Sequence, residues 1–154
     1  MKPSKFKEPV FHKSKILPPK GFMAITLFGH VFVREEYWLW QFSSNYDGIY
    51  WSKMKWHETI HIRQAAKEKD SWFIFYMKYL GYWIRNMFHC KFNNRIAYKC
   101  IPYEMEAYYQ EVKFTHKEYN CENLQKFKDF PYREALKKAK DPNWYQTLTD
   151  IANV

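Results

Sequence analysis

The stretch WFIFYMKYLGYWIRNMF, residues 72 to 88, constrains the fold more than any other part of the chain. It lacks proline and reads as a helix whose apolar side chains run nearly all the way round. Lys78, Gly81, Arg85 and then His89 form one narrow stripe at helical spacing. A helix of this kind needs cover over most of its circumference, from a protein core or from lipid. Its uninterrupted apolar runs fall short of the roughly 20 residues that a membrane crossing takes, and Lys78 and Arg85 lie inside it. The pattern therefore predicts a core helix packed on its neighbours, in preference to one lying in a membrane interface.

The rest of the chain can supply such a core. Its 154 residues, 47% hydrophobic and 21% aromatic, suit one folded domain and exclude disorder as the bulk state. Only 4 glycines are present and none stands in a Gly-rich loop, so a phosphate cradle of the Walker or dinucleotide type has no place. Cys90, Cys100 and Cys121 are odd in number and lack CxxC spacing, which argues against a disulfide framework and for a reducing compartment. With no apolar run behind the N-terminal lysines, a secretory signal is not expected, and the expected location is cytoplasmic or membrane-peripheral.

The net charge is +9, and Lys2, Lys5, Lys7, Lys13, Lys15 and Lys20 face only Glu8 in the first twenty residues. Residues 1–21 read as a solvated basic arm and residues 22–154 as a single domain. An anionic membrane is a candidate partner for the basic surface, whereas no sequence motif supports nucleic acid. The stretch GFMAITLFGHVFVREE reads as two strands turning at Gly29 and His30, a hairpin from about Phe22 to Arg34. A loop follows through YWLWQFSSNYDGIYW, with Ser52 as the expected N-cap of a helix running from Lys53 to about Lys69. Further helices are expected over Asn93 to Lys99, from Pro102 through PYEMEAYYQEVKF, and over Pro131 to Lys140, with an aromatic patch at Trp144 and Tyr145.

The helix over 53–69 carries HETIH, residues 57 to 61. Positions four apart share a helix face, so His57 and His61 can converge on one ion at zinc–nitrogen distances of about 2.0 to 2.1 Å. Glu58 is turned by about 100° from His57, which sets its carboxylate beside the ion in the position of a general base. A third ligand is sought in IPYEMEAYYQE. There Glu104, Ala107, Tyr108 and Glu111 share a face, while Glu106 is turned by about 200° from Glu104. Ala107 lets two helix backbones approach beside Glu104, so Glu104 is the expected ligand and Glu106 is not.

His57-Glu58-Thr59-Ile60-His61 followed by Glu104-Met105-Glu106-Ala107 resembles the glutamate-type zincin metallopeptidases, whose third ligand comes from an ExxA-like stretch on a later helix. The chain also resembles short, uncharacterised bacterial zincin-like proteins in which a hairpin like LFGHVFVR precedes HExxHxxQ, an aromatic helix and a Pro-containing ExEA helix. The resemblance covers roughly Phe22 to Glu111. It implies an α+β, mainly helical domain with a small N-terminal hairpin or sheet packed on the active-site helix, a Zn2+ cofactor, and a peptide or protein substrate lying along the upper strand.

The interval from His61 to Glu104 is longer than in the compact peptidases, and no second motif supplies an oxyanion-stabilising group. Tyr108, Glu111 and His116 are the candidates for positioning the ligands or stabilising a transition state, with Tyr103 a further positional one. The expected function is a zinc-dependent peptidase in which Glu58 activates water. The alternative is a non-catalytic zincin-like module that binds a partner or membrane, favoured if Trp38, Trp40 or Trp51 seals the site.

Overall fold

The computed structural model describes residue 3, residues 8–113 and residues 121–154, with residues 112 and 113 described in their backbone only. It is an α+β fold, mainly helical, with one small sheet at the N-terminal end. The strands are β1 (Val10–Ser14), β2 (Ala24–Leu27) and β3 (His30–Arg34), in the order β1-β3-β2. Strands β2 and β3 pair antiparallel, with Leu27 opposite His30. Between them Phe28 and Gly29 both have positive φ, 53° and 86°, the geometry of a tight two-residue hairpin turn. The hairpin expected from sequence is therefore present, with its turn one residue earlier.

Strand β1 was not expected. It runs parallel to β3, Val10 opposite His30 and Ser14 opposite Arg34, so this part of residues 1–21 belongs to the sheet and not to a solvated arm. The lysines around VFHKS hide a short strand in which Phe11 is half-buried and packs on Trp51, ring centroids 5.6 Å apart. Because β3 is central, β2 is left as an edge strand beside helix α1 (Tyr46–Lys67).

Helix α1 also starts earlier than its sequence suggests. The stretch expected to be a loop is instead a 3-10 helix, Glu35–Phe42, followed by α1 with Asn45 as N-cap, its side chain accepting from the Asp47 N–H. Ser52 lies inside the helix. Gly48 in the first turn resembles a breaker but is there for clearance: a Cβ added to it would stand 2.0 Å from the Ser43 carbonyl oxygen. Every residue from His57 to Ile62 is buried, so α1 threads the middle of the molecule.

Helix α2 (Trp72–His89) is capped by the Ser71 side chain, which accepts from the Ile74 N–H. The expectation of a core helix holds on one face only. Trp72, Phe75 and Asn86 are buried, while Phe73, Met77, Leu80, Ile84 and Phe88 are exposed. Among the described residues five further helices follow: α3 (Asn94–Lys99), α4 (Pro102–Lys113), α5 (Leu124–Asp129), α6 (Tyr132–Lys138) and α7 (Trp144–Ala152). Pro102 opens α4, where its missing N–H costs nothing. Helix α4 lies along α1, with Ala107 fully buried. The helices α5 and α7, unexpected from sequence, close one core cluster in which Tyr109, Phe127, Leu136, Trp144 and Leu148 pack together.

Candidate metal centre

Helix α1 presents His57 and His61 one turn apart, and α4 presents Glu104 opposite them. All three are buried, at 6%, 6% and 2% exposure. The two Nε2 atoms are 3.2 Å apart. Glu104 straddles the pair: Oε2 lies 3.0 Å from His57 Nε2 and Oε1 lies 3.2 Å from His61 Nε2. Together the three residues form a buried group able to hold a metal ion.

The outer hydrogen bonds of the imidazoles define what their inner nitrogens carry. His57 Nδ1 is 3.0 Å from Glu111 Oε2; a carboxylate only accepts, so Nδ1 holds the proton and donates it. His61 Nδ1 is 2.9 Å from Gln64 Oε1. The amide cannot be reversed, because Gln64 Nε2 donates to the Tyr103 carbonyl and to Glu106 Oε1, both at 2.9 Å. With Nδ1 engaged outward on both rings, each Nε2 faces the other and a carboxylate. Two ring nitrogens and an anion this close, away from water, suit a shared cation, which a metal ion between them or a proton on one ring supplies.

The electrostatics follow from this packing. Burial by itself drives the His57 and His61 pKa values down. The facing carboxylates, Glu104 with Glu111 at His57 and Glu104 at His61, outweigh it and raise both. Burial likewise pushes the Glu104 carboxyl up, and the two imidazoles reverse this, holding it well below the usual range. The Tyr79 hydroxyl on α2 donates to Glu104 Oε1 at 2.6 Å, and burial with the nearby carboxylate raises its own pKa well above the ordinary phenol value.

Glu58 is buried on α1 and its Oε2 accepts a 2.6 Å hydrogen bond from the Thr26 hydroxyl of the edge strand β2. The Thr26 carbonyl in turn accepts from the Tyr76 hydroxyl at 2.7 Å, tying β2 to α2. Between β2 and α2 opens a cavity of about 350 Å³, lined by Glu58, His61 and Glu104 together with apolar groups such as Phe22, Ile25, Leu80 and Trp83. A smaller hollow, about 150 Å³, is lined by His57, Glu58, Tyr98, Tyr108 and Glu111. Trp38, Trp40 and Trp51 pack with Val31, Val33 and Met54 and do not line the larger cavity.

Of the residues singled out from sequence, His57, Glu58, His61, Glu104, Tyr108 and Glu111 are brought together. The Tyr108 ring stands edge-on to His57, centroids 4.6 Å apart. Tyr103 faces elsewhere, its hydroxyl donating to Glu68 Oε1 at 2.8 Å. His116 lies outside the described residues. Glu106, dismissed as pointing away, anchors Gln64. Gln64, Thr26 and Tyr79 were missed as site residues. The signal for Gln64 was its place three residues after His61; Thr26 and Tyr79 carry no local signal. No family model, curated protein or solved structure matches the chain.

Proposed function

We propose that this protein is a zinc-dependent, metallopeptidase-like hydrolase with His57, His61 and Glu104 as ligands and Glu58 as general base. One observation carries the reading. Two imidazoles, each fixed by a hydrogen bond at Nδ1, aim their Nε2 atoms, 3.2 Å apart, at a shared point beside a carboxylate. Two nitrogens bound tetrahedrally to one zinc at 2.0 to 2.1 Å stand about 3.3 to 3.4 Å apart, so this spacing suits the ion without rearrangement. Zinc bound there supplies a Lewis acid that polarises a carbonyl and acidifies water.

The chain's own groups do the rest. Glu58, oriented by Thr26, takes the proton of the attacking water and can return it to the leaving amine. Tyr79 and Glu111 fix the carboxylate ligand and the first imidazole, so that no reorganisation is needed during the reaction. An extended peptide can lie along β2, which is paired on one side only among the described residues, and set an apolar side chain into the neighbouring cavity. That open cavity favours hydrolysis over a sealed, non-catalytic metal-binding module.

Metal analysis of the purified chain, coupled to a peptide-library digest, tests this. About one zinc per chain and cleavage that disappears in Glu58→Gln, with zinc retained, are expected. Substoichiometric metal after zinc is added back would refute the reading.

A further inference from the structure

Phe73, Met77, Leu80, Ile84 and Phe88 follow one another at intervals of four, three, four and four residues, so they form one stripe along α2. They are 72%, 55%, 48%, 42% and 68% exposed. Phe92, 63% exposed, extends the stripe beyond the helix, its ring edge-on to Phe88 with centroids 5.5 Å apart. Singly scattered apolar residues are ordinary on a protein surface, but a continuous run over about 22 Å of helix marks a place of contact.

The segment that carries this stripe has charges of one sign. From Ser71 to Tyr103 the chain has no Asp or Glu, and in the same interval it has Lys78, Arg85, Lys91, Arg95 and Lys99. Lys91 and Arg95 are exposed on either side of Phe92. Lys78 reaches back to Glu68 and Arg85 lies over the Tyr132 ring at 4.1 Å, so these two border the stripe while anchored to the body. A second copy laid on the stripe would bring the same cations against these ones. An anionic surface with an apolar layer behind it complements both features at once. No helix among the described residues is long and apolar enough to cross a membrane, and the contact that fits this stripe is one in the interface plane.

We propose that α2 docks this protein on an anionic lipid surface. The six apolar side chains enter the boundary between headgroups and acyl chains, and Lys91 and Arg95 sit against lipid phosphates. Leu80 belongs both to the stripe and to the cavity lined by Glu58, His61 and Glu104, so docking brings that cavity next to the bilayer.

Co-sedimentation of the full chain with vesicles of phosphatidylcholine alone, or of phosphatidylcholine mixed with phosphatidylglycerol, tests the proposal without reference to any metal or hydrolysis. The protein should sediment with the anionic vesicles, less as salt is raised, and far less with the neutral ones. Phe73→Ser, Phe88→Ser and Phe92→Ser combined should lower the partition coefficient more than tenfold, since each removes a ring from the contact. Lys91→Gln with Arg95→Gln should lower it by about fivefold per cation removed, on the anionic vesicles alone. All these positions are exposed, and near-ultraviolet circular dichroism with a melting curve verifies that each variant is folded. Failure to sediment with either vesicle, or sedimentation unchanged in the triple serine variant, would overturn the proposal. So would concentration-dependent self-association without vesicle binding that the triple variant abolishes, which would give the stripe to a second copy of the chain.

Discussion

Gln64 accepts the Nδ1 proton of His61 at 2.9 Å, three residues further along the same helix, and is itself held by Glu106 and the Tyr103 carbonyl of α4. This one amide links the orientation of a ligand on α1 to the helix that brings the third ligand. Gln64→Leu removes the acceptor while keeping the bulk, so His61 can turn and its Nε2 loses its fixed aim. Chelator competition on the purified variants should show zinc affinity down by roughly 10- to 100-fold in Gln64→Leu, and at least as much in Glu104→Gln. Glu106→Gln keeps an oxygen for Gln64 and should fall between wild type and Gln64→Leu. An unaltered Gln64→Leu would mean that the His61 ring is fixed by its packing alone.

Thr26 separates the base from the metal. Its hydroxyl is the donor to Glu58 Oε2, and neither is a ligand in the arrangement proposed. Thr26→Val conserves shape and removes a charge-assisted hydrogen bond from a buried carboxylate. The expected result is full zinc occupancy with kcat on a cleaved peptide lowered by about tenfold or more and KM little altered. Zinc loss in this variant would show that Thr26 supports the ligands instead of the base.

How much of this was legible in the sequence depended on the range of the interactions involved. His57 and His61 could be paired because four residues is one helical turn, and Glu104 could be preferred to Glu106 because Ala107 lies beside it. Those arguments use local geometry. The roles of Thr26 and Tyr79 depend on which strand and which helix flank α1, and no spacing encodes that. Glu106 was set aside on angle alone. Its side chain does avoid the ligand point, but it reaches the residue that orients His61. The lysines around strand β1 mask it, and the mostly apolar circumference of α2 predicts a covered helix where one of its faces is open.

Gly48 misled the placement of the start of α1, and its substitution is informative. Alanine is the better helix former by about 1 kcal/mol, so propensity alone makes Gly48→Ala stabilising. The added Cβ would stand 2.0 Å from the Ser43 carbonyl oxygen, a backbone atom that cannot turn away. Relief requires moving the turn that Asn45 caps. We expect a net loss on the order of 1–3 kcal/mol, the usual cost of overpacking, seen as a lower urea midpoint at unchanged slope. A stabilised variant would mean that the turn before α1 yields freely.

The buried carboxylate of Glu68 at the end of α1 gives the fold a defined response to acid. It accepts from the Tyr103 hydroxyl at 2.8 Å and pairs with Lys78 at 2.6 Å and with Lys128 of α5. Burial alone would raise its pKa, but Lys128, Lys78 and Tyr103 prevail and bring it from 4.5 down to about 2. A carboxyl whose pKa is lower folded than unfolded binds protons more readily in the unfolded chain. Its contribution to stability is thus complete above about pH 4.5 and is lost as the pH falls from there toward 2. Glu68→Gln cannot titrate and leaves two lysines without their anion. The variant should be the less stable protein at pH 7, and the difference in urea midpoint from wild type should narrow as the pH is lowered from 5 to 3, at constant ionic strength. Lys78 is half exposed and solvent screens its share, so most of the effect should come through Lys128, with Lys128→Met reproducing more of it than Lys78→Met. A difference that stays constant across this pH range would show that Glu68 acts through packing and hydrogen bonding, with no part for its charge.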